Sequence, residues 1–449
     1  MKASSGGEGP QTSLSAGVKG AAPLQIGVVG LWHLGSVTIA GLLRMGHSVV
    51  AYDFDSKAVD SIRSGAEPVS EPGVGEVLRE AISEGTLTIE RDARSLSAVS
   101  VICFTYDTPV SSDDEPDADW LESRFLDIVP FVRSDATVIV SSQTIIGTCG
   151  RWRCLLRSAS SSADIVYMPE NLRLGSALTG MMSPRDLIIG AESQSAIDVV
   201  VKVFEPIVSS VITMNLASAE LSKHAINSYL AMSVVFANSL AGIAENHGAS
   251  MKDVLLGLRS DDRVSPRAPM RPGLPFSGGT LGRDLRSLEQ RGAKSSGSFF
   301  SRILEINNAG VEDVVERIQQ LSAGHRQDQV KIAVWGVTYK PGTSTLRRSI
   351  PMQIMNSLSD KKLAVSVFDP GADYSEVEGE VKFEIGNDPI EICCDADVLV
   401  LLTGWDQFRS PAWGEVAQAM RGNIIFDAIG LWAESGLPDE FDYHTIGEG

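Results

Sequence analysis

Cysteine is scarce in this chain: five residues, Cys103, Cys149, Cys154, Cys393 and Cys394, among 449. The number is odd and the spacing matches no zinc module, which excludes a disulfide framework and fits free thiols in a reducing cytoplasm. Positive charge is also in deficit, with 38 Lys and Arg against 57 Asp and Glu, a net charge of −19 and a pI near 4.8. That balance argues against a nucleic-acid partner or an anionic membrane surface, and an anionic substrate would need a local cationic pocket. No repeat appears at the periods of solenoids or propellers. Long apolar runs are nearly absent. Residues 225–244 go 20 positions without a charge, long enough to raise the question of a membrane span. Asn227, Ser228, Ser233, Asn238 and Ser239 interrupt that run, so a buried helix between two domains is expected, and no membrane partner. The first 23 residues are rich in Gly, Ser and Ala without an apolar core; they read as a disordered tail, not a signal peptide.

What is present suits a globular α/β protein of two to four domains, with 43% hydrophobic and 21% charged residues. Residues 24–30 form a short β-rich run ending in Gly30, residues 36–45 an apolar helix, and residues 47–53 a second strand ending in Asp53. Strand, turn, helix and strand in about 30 residues is the context that gives a dinucleotide fingerprint meaning. The turn keeps the first and third glycines, Gly30 and Gly35, with Leu34 before the latter, but Trp32 takes the second place. A side chain there must point away from a pyrophosphate or crowd it. Asp53 lies 18 residues after Gly35, where a carboxylate takes the ribose hydroxyls and repels a 2′-phosphate. NAD is therefore expected over NADP.

The alternation continues through strands at 99–105, 136–140 and 163–167, leading to Thr108 and Pro109, to residues 141–148, and to residues 168–173. Such uninterrupted β-branched runs suit buried parallel strands, with ligands beyond their carboxyl ends. The acidic loop of Asp113, Asp114, Glu115, Asp117 and Asp119 reads as solvated, and no metal site is expected. In the central helix Glu220, Lys223 and Asn227 fall at i, i+3 and i+7, with Asn238 three turns further, which makes one polar stripe. A desolvated Lys223 needs a partner, unless it snorkels to the surface. Beyond it, Phe276 and the adjacent Gly278 and Gly279 make a loop able to lie close to a ligand. From pattern alone Asp284 reads as a helix-capping or structural carboxylate. Residues 294–298 look like a linker turn. After the polar boundary at 323–329, a second α/β unit runs through strands at 331–336, 368–370, 396–402 and 423–427. It lacks a glycine fingerprint, so a second dinucleotide is not expected.

Taken together, these segments resemble the UDP-glucose/GDP-mannose dehydrogenase family over nearly the whole chain after residue 23. The resemblance rests on the Gly30 turn, Thr108 and Pro109, Pro169 and Glu170, Ala219 and Glu220 with Lys223 and Asn227, and Phe276 with Gly278, Gly279 and Asp284. It also rests on the 339–343 segment with Arg347 and Ser349, and on the 403–408 segment. It implies two Rossmann-like, doubly wound parallel-sheet domains joined by a long central helix, divided as an NAD domain at 24–212, a helical dimerisation domain at 213–325 and a UDP-binding domain at 326–449. It implies NAD contacts from Gly30, Trp32, Leu34, Gly35, Asp53, Thr108 and Arg347. It implies nucleotide-sugar contacts from Phe276, Gly278, Gly279, Lys340 and Arg263, the last reaching a partner subunit's sugar site. Lys223, Asn227, Asp284, Thr280 and Glu170 would stand at the reacting carbon.

Family members oxidise the C6 alcohol of the sugar twice, and the second step runs through a cysteine thioester. Thr280 stands at the position of that cysteine, and an unassisted hydroxyl is too weak an acid at neutral pH to replace a thiol. Leu174 replaces a Glu associated with thioester hydrolysis, Gln143 a Thr, and Ile429 an Arg whose loss bears on the phosphate contacts. The resemblance thus implies a cytoplasmic NAD-dependent oxidoreductase of polysaccharide biosynthesis, a homodimer or higher homo-oligomer, acting on a UDP-hexose or close relative and halting at the aldehyde or ketone. Two alternatives stay open: a redox-neutral, NAD-retaining epimerase or eliminase, and a non-catalytic nucleotide-sugar-binding regulator.

Overall fold

The computed structural model describes residues 22–110, 116–159, 161–265, 267–277, 279–292, 298–323, 330–377 and 379–448. The expected tail up to residue 21, Asp113, Asp114 and Glu115 of the acidic loop, Gly278, and most of the linker turn and the 323–329 boundary lie outside the described residues. The chain divides into two compact units: the first runs to Pro109 and resumes over Ala118–Glu220, and the second takes the 110–117 stretch and all from Leu221 onward.

In the first unit β1 (Gln25–Val29), β2 (Ser48–Tyr52), β3 (Leu87–Glu90), β4 (Val101–Phe104), β5 (Thr137–Val140), β6 (Asp164–Tyr167), β7 (Leu187–Ala191) and β8 (Val211–Met214) build one sheet. Their order is β3-β2-β1-β4-β5-β6-β7-β8, parallel except between β6 and β7. Helices α1 (His33–Arg44), α2 (Ser56–Arg63), α3 (Val74–Glu84), α4 (Ala118–Ile128), α5 (Thr148–Ser158), α6 (Ala177–Met182) and α7 (Gln194–Phe204) connect the strands. Alternate strand residues feed opposite cores: Ile26, Val28, Ile139 and Val166 enter one, Val29, Phe104, Val138 and Ile165 the other. A sheet buried on both faces has no use for polar alternation, which is why its strands read as apolar runs. The strand order reverses between β1 and β4, so the switch-point crevice opens at the Gly30 turn. The strands β3, β7 and β8 carry Thr, Glu and Gly among their apolar residues and were not legible as strands.

Helix α8 (Leu216–Asn246) crosses the division between the units, and α9 (Met251–Arg259), α10 (Gly279–Arg291) and α11 (Phe299–Ser322) follow in the second. A six-stranded parallel sheet comes next, from β9 (Lys331–Trp335), β10 (Ala364–Phe368), β11 (Glu384–Ile385), β12 (Val398–Leu401), β13 (Ile424–Asp427) and β14 (Asp442–Thr445), in the order β11-β10-β9-β12-β13-β14. Helices α12 (Ile350–Asp360) and α13 (Trp413–Ala419) accompany it. The expectation of a buried α8 needs correction: 39% of its most apolar 18-residue window is buried, and by length and composition it could cross a membrane. Its small residues explain the asymmetry. Ala231 and Val235 pack on Leu285 and Ile303, and Ala237, Ala241 and Ala244 pack on Met251 and Leu255, while Tyr229, Phe236 and Ile243 on other turns stay 48, 46 and 58% exposed.

Candidate active site

The first unit carries the fingerprint turn. Gly30 has φ +96°, and a Cβ there would meet the Tyr106 backbone nitrogen at 2.7 Å; a Cβ on Gly35 would lie 1.8 Å from the Gly30 carbonyl oxygen. Both glycines are therefore demanded by the fold. Trp32 is different. As the residue before α1 it has φ −75° and extended backbone, a conformation open to any residue, and its indole is half-exposed. Leu34 is buried. No side chain caps α1 and no acid sits in its first turn, so its N-terminus is suited to an anion.

Asp53 immediately follows β2 and is buried. One carboxylate oxygen accepts the Leu31 N–H at 2.7 Å, the other accepts the Asp55 N–H at 2.9 Å and lies 3.5 Å from the Tyr106 hydroxyl. Burial raises the Asp53 pKa above the ordinary carboxylate value, against the lowering effect of those amides. The uncapped helix, the tight glycine turn and the strand-end acid fit the pyrophosphate and adenosine ribose of NAD. Thr108 is buried and donates to the Gln143 carbonyl at 2.6 Å.

A cavity of about 480 Å³ opens at the carboxyl ends of β5 and β6, and Leu34, Ser141, Met168, Glu170 and Arg173 line it. It brings the fingerprint helix and Glu170 to one cleft. The Glu170 carboxylate accepts the Leu172 N–H. A residue missed in the sequence, the buried Glu71, pins this wall: it accepts the Gly175 and Ala177 N–H groups at 2.8 and 2.7 Å and contacts His33 Nε2 at 3.1 Å. The polar stripe of α8 splits in the same way. Glu220 is fully buried, accepting from Thr144 Oγ1, Gly147 N–H and Cys149 N–H at 3.2, 2.5 and 2.8 Å, and so serves the start of α5.

The second unit gathers the remaining polar residues of α8. Asn227 Nδ2 donates to one Asp284 oxygen at 2.5 Å, and His224 Nδ1 lies 2.9 Å from the other. Asp284 is fully buried inside α10, so the helix-capping reading is corrected. Lys223, next to His224, is half-buried instead of desolvated. Thr280 is exposed one turn before Asp284. A Cβ on Gly279 would come within 2.4 Å of Arg348 Nη1, which places a cation at the start of α10 that the sequence did not announce. Phe276 exchanges two backbone bonds with the Asn307 side chain, at 2.8 and 3.2 Å. Gly278 lies outside the described residues.

A cavity of about 420 Å³ in this unit is lined by Arg271, Ser277, Tyr339, Lys340, Thr403 and Ile429. Among the described residues lining it, Arg271 and Lys340 are the charged ones and no carboxylate is present. Arg271 donates to the Gly430 carbonyl at 2.5 Å, which brings a guanidinium beside Ile429 from another segment. In a chain of net charge −19 this is the local cationic pocket that an anionic ligand requires. Arg347 and Arg263 are exposed, the latter paired with Asp261 at 2.6 Å.

Comparison with known proteins agrees with this geometry. Residues 24–208 match the NAD binding domain of the UDP-glucose/GDP-mannose dehydrogenase family, residues 217–309 its central domain and residues 333–434 its UDP binding domain. UDP-glucose 6-dehydrogenase of Pseudomonas aeruginosa is 27% identical over 94% of this chain and 97% of its own, and GDP-mannose 6-dehydrogenase of Pseudomonas syringae is 26% identical over 93% and 98%. The fold is similar to that of a UDP-glucose dehydrogenase from Pyrobaculum islandicum, with a TM-score of 0.84 at 24% identity over 96% of this chain and 99% of that one. The chain belongs to the UDP-glucose/GDP-mannose dehydrogenase family, and is an NAD-dependent oxidoreductase of the nucleotide-sugar dehydrogenase class.

Proposed function

We propose that the protein oxidises the C6 alcohol of a nucleotide hexose, a UDP-hexose foremost, and releases the product at the aldehyde level. The observation that carries this reading is the Asn227–Asp284 bond on α8 and α10, with Thr280 in place of a thiol one turn before Asp284. NAD bound at the Gly30 turn supplies the acceptor for the C6 hydride. Asn227 keeps a second N–H when Asp284 accepts the first, and donates it to the oxygen on which negative charge develops. Lys223, on the same helix as Asn227, supplies positive charge on the side of the reacting oxygen. Bound NAD would take the C6 hydride while the hydroxyl proton passes to solvent, leaving the aldehyde and one NADH.

The second oxidation needs a nucleophile that holds the carbonyl as a thioester. Thr280 does not ionise at neutral pH, and the buried thiols do not substitute: burial pushes Cys103 and Cys393 up to about 12, and burial beside Glu220 raises Cys149 well above the usual thiol range. Cys154 and Cys394 are exposed and line neither cavity described above. The UDP moiety takes the cavity of Lys340 and Arg271, and the division at 24–212, 213–325 and 326–449 assigns NAD, dimerisation and nucleotide to successive segments. Tyr229, Phe236 and Ile243, seven residues apart on one stripe of α8 and exposed, support a homodimer in which this stripe packs on its copy. The test of the reaction is the ratio of NADH formed to sugar consumed, with the product identified by mass.

A further inference from the structure

We infer that His224 is a positioning residue for this oxidation, acting through Asp284; the inference rests on the reaction proposed above. His224 and Asn227 lie three residues apart on α8 and so share a face. They straddle one carboxylate, with His224 Nδ1 2.9 Å from Asp284 Oδ1 and Asn227 Nδ2 2.5 Å from Oδ2. Asp284 has no exposure and the His224 side chain is 3% exposed, so neither group exchanges this contact for water. A carboxylate accepts, so the His224 nitrogen that faces it carries the proton, in the neutral ring and in the charged one alike.

The torsion that turns a carboxylate about its Cβ–Cγ bond is broad and soft. A donor on each oxygen, Asn227 at Oδ2 and His224 at Oδ1, opposes that rotation and holds the carboxylate plane. The orientation of the Asn227 amide follows from that plane, because its Nδ2 is tied to Oδ2. His224 therefore sets the direction of the Asn227 N–H that remains for the reacting oxygen, without touching substrate. The same logic governs outer partners that orient the ligands of metal sites, where their loss costs about 10- to 100-fold.

The experiment compares wild type, His224→Asn, His224→Leu and Asp284→Asn in steady-state NADH formation with the UDP-hexose and NAD, alongside thermal unfolding. Asn keeps an N–H donor near the place of Nδ1, and Leu fills the space without one. The expected result is a fall in kcat of about 10- to 100-fold for His224→Leu, with KM for both substrates nearly unchanged, and substantial recovery of kcat in His224→Asn. A His224→Leu enzyme with wild-type kcat overturns the inference. So does an equal fall in both variants that follows the folded fraction, since that is a structural role. If Asp284→Asn keeps the wild-type rate, or wild type itself forms no NADH from any nucleotide sugar, the parent reading fails and this inference falls with it.

Discussion

At the scale of single residues, Asp53 shows how burial becomes a pH dependence. Its pKa is raised by desolvation, so the folded chain takes up this proton more readily than the unfolded one. Ionisation of Asp53 is thus a stability cost that appears as pH rises through the raised value and is relieved on acidification. NAD binding has the opposite sign, since the ribose needs an acceptor. Its affinity is expected to fall on acidification at a pH above the ordinary Asp range, and Asp53→Asn should weaken binding and flatten that dependence in a calorimetric titration. A second residue-scale outcome concerns Thr280. Thr280→Cys introduces a thiol at this position, and on the proposed function it is expected to accumulate a covalent acyl adduct with NAD and UDP-hexose, detectable by intact mass. Gly30, Gly35 and Asp53 were legible because a turn of that chemistry has few sequence solutions. His224, Arg271 and Arg348 were not, because each acts on a segment distant in sequence: Asp284, Gly430 and Gly279.

Among elements, the start of α5 depends on α8. Glu220 accepts two backbone N–H groups there, from Gly147 and Cys149, and a hydroxyl from Thr144. It also sets a negative charge at the positive end of a helix whose preceding residue, Gly147, offers no side-chain cap. Glu220→Ala is expected to destabilise the chain by about 2 kcal/mol or more, read as a lower urea midpoint at unchanged slope. The spacing of Glu220, Lys223 and Asn227 correctly put them on one helix as one polar stripe, which the structure divides between the start of α5 and Asp284. The helix passes from one unit to the other after Glu220, and periodicity carries no information about such a division. For the same reason the apolar composition of residues 225–244 suggested burial on all sides, whereas packing covers mainly the small residues of one side.

For the molecule as a whole, the exposed Tyr229, Phe236 and Ile243 stripe predicts a dimer in sedimentation, and Phe236→Glu is expected to shift the protein to monomer while leaving NAD binding to the first unit intact. The two sheets share a winding order, yet they differ in charge and in turn. The Gly30 turn opens onto a helix with no side-chain cap, while α12 of the second sheet is capped by Ser349, whose side chain accepts the Met352 N–H. This accords with one sheet holding the dinucleotide and the other the substrate nucleotide through Lys340 and Arg271. The measurement that bears most directly on the proposed reaction is the count of NADH per sugar consumed, with UDP-hexoses and GDP-hexoses in turn and products identified by mass spectrometry. A single NADH with a sugar aldehyde or its hydrate is the predicted result. Two NADH for each sugar with stoichiometric uronic acid would contradict it, and would mean that Thr280 or a water molecule sustains the second oxidation after all.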